Sequence, residues 1–158
     1  MSLAAVRVQT ELRRIARRPD ENIIIKTSSG DLKCFKAWIK GAKDTVYEGG
    51  QWELEILVPS DYPHVALKVK FLTKIFHPNI NYKTGEICLD ILKEKDAWTP
   101  AWGIASVCRA ILLLLDHPDA TSPLNCDAGN MVRAGDIRAY RTMASMYVKK
   151  HALKGPFK

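Results

Sequence analysis

A chain of 158 residues with 47% apolar content is long enough to bury one sizeable core, so a single domain covering residues 1–158 is expected. The longest aliphatic run, Ala110 to Leu115, is far too short to cross a bilayer, and Arg7, Glu11 and Arg13 stand where a signal peptide needs an apolar stretch, so neither a membrane-spanning nor a secreted chain is expected. Lysine and arginine exceed aspartate and glutamate by 24 to 17, and a net charge of +7 suits an acidic partner such as a nucleic acid, a lipid surface or an acidic protein.

From Leu3 to Arg18 the apolar positions Ala5, Val8, Leu12 and Ile15 recur three or four apart, the stripe of an amphipathic helix, while Arg7, Arg14 and Arg18 fall on another face. Pro19 closes it, because the residue before a proline avoids helical backbone angles. Strand character follows at Asn22–Thr27, Lys33–Lys40, Gln51–Val58 and Leu67–Phe71. The third alternates Trp52, Leu54, Ile56 and Val58 with Gln51, Glu53, Glu55 and Leu57, which predicts an antiparallel sheet with one buried face. Turn residues separate the strands at Ser28-Ser29-Gly30, Glu48-Gly49-Gly50 and Ser60-Asp61-Tyr62-Pro63.

From Thr73 to Trp102 neither period persists, yet the stretch holds His77, Asn79, Cys88, Asp90, Trp98 and Trp102. An ordered irregular segment of this length inside a compact domain tends to be functional. The helical pattern returns at Ile104–Leu115 and stops at Asp116-His117-Pro118; another helix is expected after Pro123, and a last one from Asp136, a good N-cap, to His151. The order predicts an α+β domain: N-terminal helix, four-stranded antiparallel meander, irregular segment, C-terminal helices.

Four cysteines, Cys34, Cys88, Cys108 and Cys126, lie far apart without a CxxC pair, which argues against a zinc site or a disulfide framework and suits a reduced, cytosolic setting. The residues alone leave Cys88 open. Its apolar neighbours Ile87 and Leu89 favour a small buried thiol; His77, eleven residues away, permits a Cys–His pair; a metal needs more ligands than His77, Cys88 and Cys108 supply.

Three ordered blocks carry more: His77-Pro78-Asn79-Ile80-Asn81, Gly85-Glu86-Ile87-Cys88-Leu89-Asp90-Ile91-Leu92, and Trp98-Thr99-Pro100-Ala101. Together they resemble the active-site signature of ubiquitin-conjugating (E2) enzymes. Glu11-Leu12, Tyr47-Glu48-Gly49-Gly50, Pro59 to Pro63, Pro123-Leu124-Asn125 and the closing Tyr147 to Ala152 extend the likeness along nearly the whole chain. The resemblance implies the ubiquitin-conjugating (UBC) fold and acyl transfer: Cys88 takes the C-terminal glycine of ubiquitin from an activating enzyme (E1) as a thioester and passes it to an acceptor with a RING-type ligase (E3). It implies that Asn79 steadies the loop and offers its amide to the oxyanion, that Ser122 stands at the gate to the site, and that Asp90 adds polarity beside the thiol. Serine at the gate has no useful basicity at neutral pH. His77 is implied to be structural. Pro63, His64, Pro100, Ala101 and Trp102 match the loops that meet ligases, and Arg7 matches the face that meets the acidic docking domain of the activating enzyme. No metal or cofactor is implied for this chain, since ATP is used by the activating enzyme.

Some features depart from the common pattern. His64-Val65-Ala66-Leu67 replaces the usual aromatic and prolines, and the chain is one residue longer between Asn81 and Gly85 and two longer around Lys93 to Ala97. With Cys126 and the Trp98-Thr99-Pro100-Ala101-Trp102 block, they resemble the peroxisomal branch of the family, which modifies import receptors while held by a membrane-anchored partner. That implies a cytoplasmic chain, peripheral on the cytosolic face of the peroxisomal membrane, with a receptor lysine or cysteine as acceptor. An E2 for another ubiquitin-like modifier would show almost the same site. A basic nucleic-acid-binding domain would need an aromatic-plus-basic strand or helix-turn-helix pattern that is absent here, so no nucleic acid partner is expected.

Overall fold

The computed structural model describes residues 1–27 and 30–157, so Ser28 and Ser29 of the first expected turn lie outside the described residues. Ser2 opens helix α1 (Leu3–Arg17) by accepting the Ala5 N–H on its hydroxyl at 3.1 Å, and Arg18 and Pro19 follow its last turn. The buried line of α1 is Ala4, Val8 and Glu11, with Leu12 and Ile15 partly covered. The expected stripe is thus rotated by one residue, and a carboxylate lies on the inner face.

Strands β1 (Ile23–Lys26), β2 (Cys34–Lys40), β3 (Gln51–Leu57) and β4 (Lys68–Phe71) form one antiparallel sheet in sequential order. Registers such as Ala37↔Leu54 and Ile56↔Val69 align the inner faces, which carry Phe35, Ala37, Ile39, Trp52, Leu54 and Ile56, all buried. The outer face carries ion pairs such as Lys36–Glu53 at 2.6 Å and Lys70–Glu55 at 3.4 Å. This is the predicted alternation, one face dry and one wet.

After the irregular segment, which holds one four-residue helix α2 (Asp90–Lys93), come α3 (Ile104–Asp116), α4 (Cys126–Arg133) and α5 (Ile137–His151). Four residues are too few to leave a periodic trace, which is why α2 escapes a reading by pattern. Helix α3 packs on α1 and β1, and turns Ile104, Val107, Cys108, Ile111 and Leu115 into the core. Asp136 caps α5 through the Ala139 N–H at 3.1 Å, as its position before the periodic run predicts. A buried pair of phenols ties α5 to the loop after β2: Tyr140 donates to Tyr47 at 2.6 Å, and Tyr47 donates to the Phe76 carbonyl at 2.6 Å. Among the described residues no helix is long and apolar enough to cross a membrane.

Candidate active site

The backbone around Cys88 is folded back on itself. Asn81 Oδ1 accepts the Lys83 and Thr84 N–H groups at 2.9 and 3.0 Å, turning the chain so that Asn81 N–H meets the Glu86 carbonyl at 2.8 Å and Cys88 N–H meets the Asn79 carbonyl at 2.8 Å. The turn needs Gly85, whose φ is +76° and whose absent Cβ would lie 1.9 Å from the Phe71 carbonyl oxygen.

His77 and Asn79 fasten this loop to the segment between α3 and α4. His77 is fully buried; its Nδ1 accepts the Asn79 N–H at 3.0 Å and its Nε2–H donates to the Leu114 carbonyl at 2.9 Å, which fixes a neutral tautomer. Burial lowers its pKa from 6.5 to about 4. Both ring nitrogens are used, so the ring offers no base to the thiol. Asn79 is also buried: Nδ2 donates to the Asp119 carbonyl at 2.6 Å, and Oδ1 accepts the Asp119 N–H at 2.8 Å. The Pro78 carbonyl accepts the Leu124 and Asn125 N–H groups at 2.8 and 3.1 Å, completing the seam.

Cys88 itself is half-buried, beside an open groove of about 320 Å³ walled by Leu89, Ile91, Trp102, Leu113, His117 and Asp119. All four cysteines are free, and Cys108, by contrast, is fully enclosed, its thiol pushed up to about 12 by burial. Burial also raises the Cys88 pKa; Lys93 opposes that, and Asp90, Asp119 and Glu86 add to it. Lys93 in turn is ion-paired with Glu86. The resting thiol is therefore protonated at neutral pH, in a partly apolar trough with acidic groups around its mouth. Asp90 is exposed at the first position of α2, and Ser122 is exposed on the loop that Asp119 anchors.

The two loops matched to ligase docking come together in space. Pro63, which follows a cis peptide bond, is buried, and its carbonyl accepts the Trp98 Nε1–H at 2.7 Å; His64, Pro100 and Ala101 are exposed, and Trp102 is half-buried. Arg7 is turned toward these loops, with its guanidinium bonded to Glu11 and to the Pro100 and Trp102 carbonyls. Lys93 and Asp119 are site residues that reading the sequence did not single out, and Glu11, Tyr62 and Trp98 stood there only within quoted blocks, with no role of their own. A carboxylate one turn from Val8 on the inner side of α1 was the available signal for Glu11; Asp119 meets Asn79 through its backbone alone, which leaves no trace in residue type.

The family model described as ubiquitin-conjugating enzyme matches residues 7–148. The chain is 48% identical over 155 residues to Protein PEROXIN-4 of Arabidopsis thaliana, covering 97% of this chain and 98% of the relative. It is 47% identical over 146 residues to the ubiquitin-conjugating enzyme E2 pex4 of Dictyostelium discoideum, covering 92% and 97%. Its structure superposes with a TM-score of 0.89 and 31% identity on the crystal structure of H. polymorpha ubiquitin-conjugating enzyme Pex4p in complex with the soluble domain of Pex22p, covering 96% of this chain and 99% of that one. With the predicted order of helix, meander, irregular segment and helices in place, the chain has the UBC fold and belongs to the ubiquitin-conjugating enzyme family: it is an E2.

Proposed function

We propose that Cys88 is the acyl-carrying nucleophile of this E2. In the first step the Cys88 sulfur attacks the thioester carbonyl of ubiquitin on the activating enzyme; a new S–C bond forms, the old S–C bond breaks to expel that enzyme's thiolate, and the proton lost by Cys88 passes through solvent to the departing sulfur. In the second, an acceptor amine or thiol attacks the Cys88 thioester and the Cys88 thiol is regenerated. The observation that carries the reading is that Cys88 opens on the groove with its backbone locked to Asn79, while the nearby histidine has both nitrogens engaged.

Asn79 has one amide hydrogen beyond the bond to Asp119, and we assign it to the oxyanion, a donation typically worth about 3 kcal/mol. Ser122 acts as a polar group at the mouth with no useful basicity, and Asp90 adds polarity beside the thiol. His64, Pro100, Ala101 and Trp102 make the ligase face, shaped from beneath by Pro63. The face of α1 bearing Arg7, Arg14 and Arg18 meets the acidic activating enzyme, and ATP is consumed there, so this chain needs no cofactor of its own. Residues 1–158 work as one catalytic domain.

Relatives named PEROXIN-4 and pex4, and a structural neighbour held with Pex22p, support placing this enzyme on the cytosolic face of the peroxisome, bound to a membrane-anchored partner and acting with a RING-type ligase on import receptors. The chain is incubated with activating enzyme, ATP and ubiquitin. A conjugate cleaved by reductant is expected, absent in Cys88→Ala and replaced in Cys88→Ser by a reductant-resistant ester; a conjugate that persists in Cys88→Ala would overturn the assignment. For the location, peroxisomal staining that is lost when the membrane partner is deleted is expected, and uniform cytosolic staining refutes it.

A further inference from the structure

Glu11 is 6% exposed and is the one buried acidic side chain among the described residues. A buried carboxylate is tolerated only when its lone pairs are taken by donors, and here the donors come from three separate parts of the chain. Oε1 accepts from the Arg7 Nε–H at 2.6 Å and from the Tyr62 hydroxyl, and Oε2 accepts the N–H of Ile104, the first residue of α3, at 2.7 Å. Tyr62 is kept a donor, since burial first and the bond to Glu11 second raise its pKa far above the ordinary phenol range. Gly103 makes the close approach feasible, because a Cβ there would lie 2.6 Å from Glu11 Oε2.

The same guanidinium reaches further. Arg7 Nη2 donates to the Pro100 carbonyl at 2.7 Å and to the Trp102 carbonyl at 3.1 Å, so one planar fork joins the buried carboxylate to the backbone of the loop that precedes α3. Trp102 walls the Cys88 groove. The second loop is tied into the same unit, because Tyr62 is followed by Pro63, whose carbonyl holds the Trp98 indole, and the Tyr62 and Trp98 rings lie 6.2 Å apart.

We infer that Arg7 is a positioning residue: held by Glu11, it fixes the Trp102 backbone and thereby sets the wall of the groove in which the Cys88 conjugate reacts. The inference rests on the assignment of Cys88 as the acyl carrier. It makes α1 more than a docking face, since whatever seats against α1 also bears on a guanidinium one hydrogen bond from the groove wall. A lysine at position 7 keeps the charge but has a single nitrogen, and cannot span a carboxylate and two carbonyls at once. This separates positioning from attraction to an acidic partner.

Conjugates of the wild type, Arg7→Lys, Trp102→Ala and the double variant are charged, purified away from the activating enzyme, and followed in single turnover to free lysine and to free cysteine. Arg7→Lys is expected to discharge about tenfold more slowly, Trp102→Ala likewise, and the double variant no more slowly than the worse single variant, as for two residues acting through one element. Discharge of Arg7→Lys at the wild-type rate, or effects that multiply in the double variant, overturns the inference. A second readout needs no conjugate: in uncharged protein labelled with 5-fluorotryptophan, the Trp102 fluorine resonance is expected to shift or broaden in Arg7→Lys while that of Trp52, buried in the sheet core, stays fixed and reports an intact fold. An unmoved Trp102 resonance refutes positioning. A wild type that forms no reductant-sensitive conjugate refutes the Cys88 assignment instead, and leaves the fluorine result to decide the role of Arg7.

Discussion

Asn79 and Asp119 are joined by two hydrogen bonds running in opposite directions, one from the Asn79 amide to the Asp119 carbonyl at 2.6 Å and one from the Asp119 N–H to Asn79 Oδ1 at 2.8 Å. Only a side-chain amide supplies both halves. Asn79→Asp keeps the acceptor but sets an oxygen against the Asp119 carbonyl, so a loss of about 2 kcal/mol is expected, with Tm lower by roughly 5 °C. Transfer from the conjugate is expected to slow at least about tenfold. A variant that melts and transfers like the wild type would show that this bridge carries no weight.

The Cys88 thiol is raised by burial, drawn down by Lys93, and raised further by Asp90, Asp119 and Glu86. Removing the cation and removing an anion must therefore move it in opposite directions. Lys93→Gln, which also frees the charge of Glu86, is expected to shift the inflection of Cys88 alkylation by iodoacetamide to higher pH and to slow the reaction at neutral pH. Asp90→Asn is expected to shift it lower and speed the reaction. Peptide mass spectrometry across pH 6.5 to 10 gives both profiles, and shifts of the same sign would refute the electrostatic account.

His77 titrates at about 4 in the fold against 6.5 when free. Between those values the unfolded chain binds a proton that the folded chain refuses, so this contribution to stability is complete above pH 6.5 and declines as the pH falls toward 4. Its full size is about 3 kcal/mol. Urea unfolding at pH 7, 5.5 and 4.5 is expected to show a steeper decline in the wild type than in His77→Gln, whose amide has a donor and an acceptor but takes no proton. Parallel declines would remove His77 as the cause.

Ser122, exposed on the loop that Asp119 anchors, supplies no base. Ser122→Asp adds one at the mouth of the groove. Discharge to lysine is expected to rise about tenfold at pH 7.5, with a much smaller gain for cysteine, which is already partly ionised there. Equal gains for the two acceptors would mean that the aspartate acts by some route other than taking a proton.

Those strands were legible in the sequence because each buries one face and wets the other: Trp52, Leu54 and Ile56 against Gln51, Glu53 and Glu55 leave little choice of side. The start of α5 was legible because Asp136 states its own role. The inner face of α1 was not. Periodicity set Ala5 and Leu12 on the stripe, whereas the fold turns Ala4 and Glu11 inward, because the partners that make a buried Glu11 tolerable, Tyr62 and Ile104, lie 51 and 93 residues away. At the site, the three blocks around Cys88 were readable through their likeness to a family. The bond from Asn79 to Asp119 was not, since a backbone partner can carry any side chain.

The reach of the Glu11 bonds bears on how the protein is made. A ribosome that has released α1 has yet to synthesise Ile104, and the Tyr47 hydroxyl waits as long for Tyr140, also 93 residues on. Until then the emerging polypeptide carries a carboxylate and a phenol whose interior places do not yet exist. The loop before α3 and the groove wall are thus closed late in synthesis, and a product cut short before α3 would leave Glu11 Oε2 without the Ile104 N–H, a form suited to capture by chaperones or proteases rather than to charging.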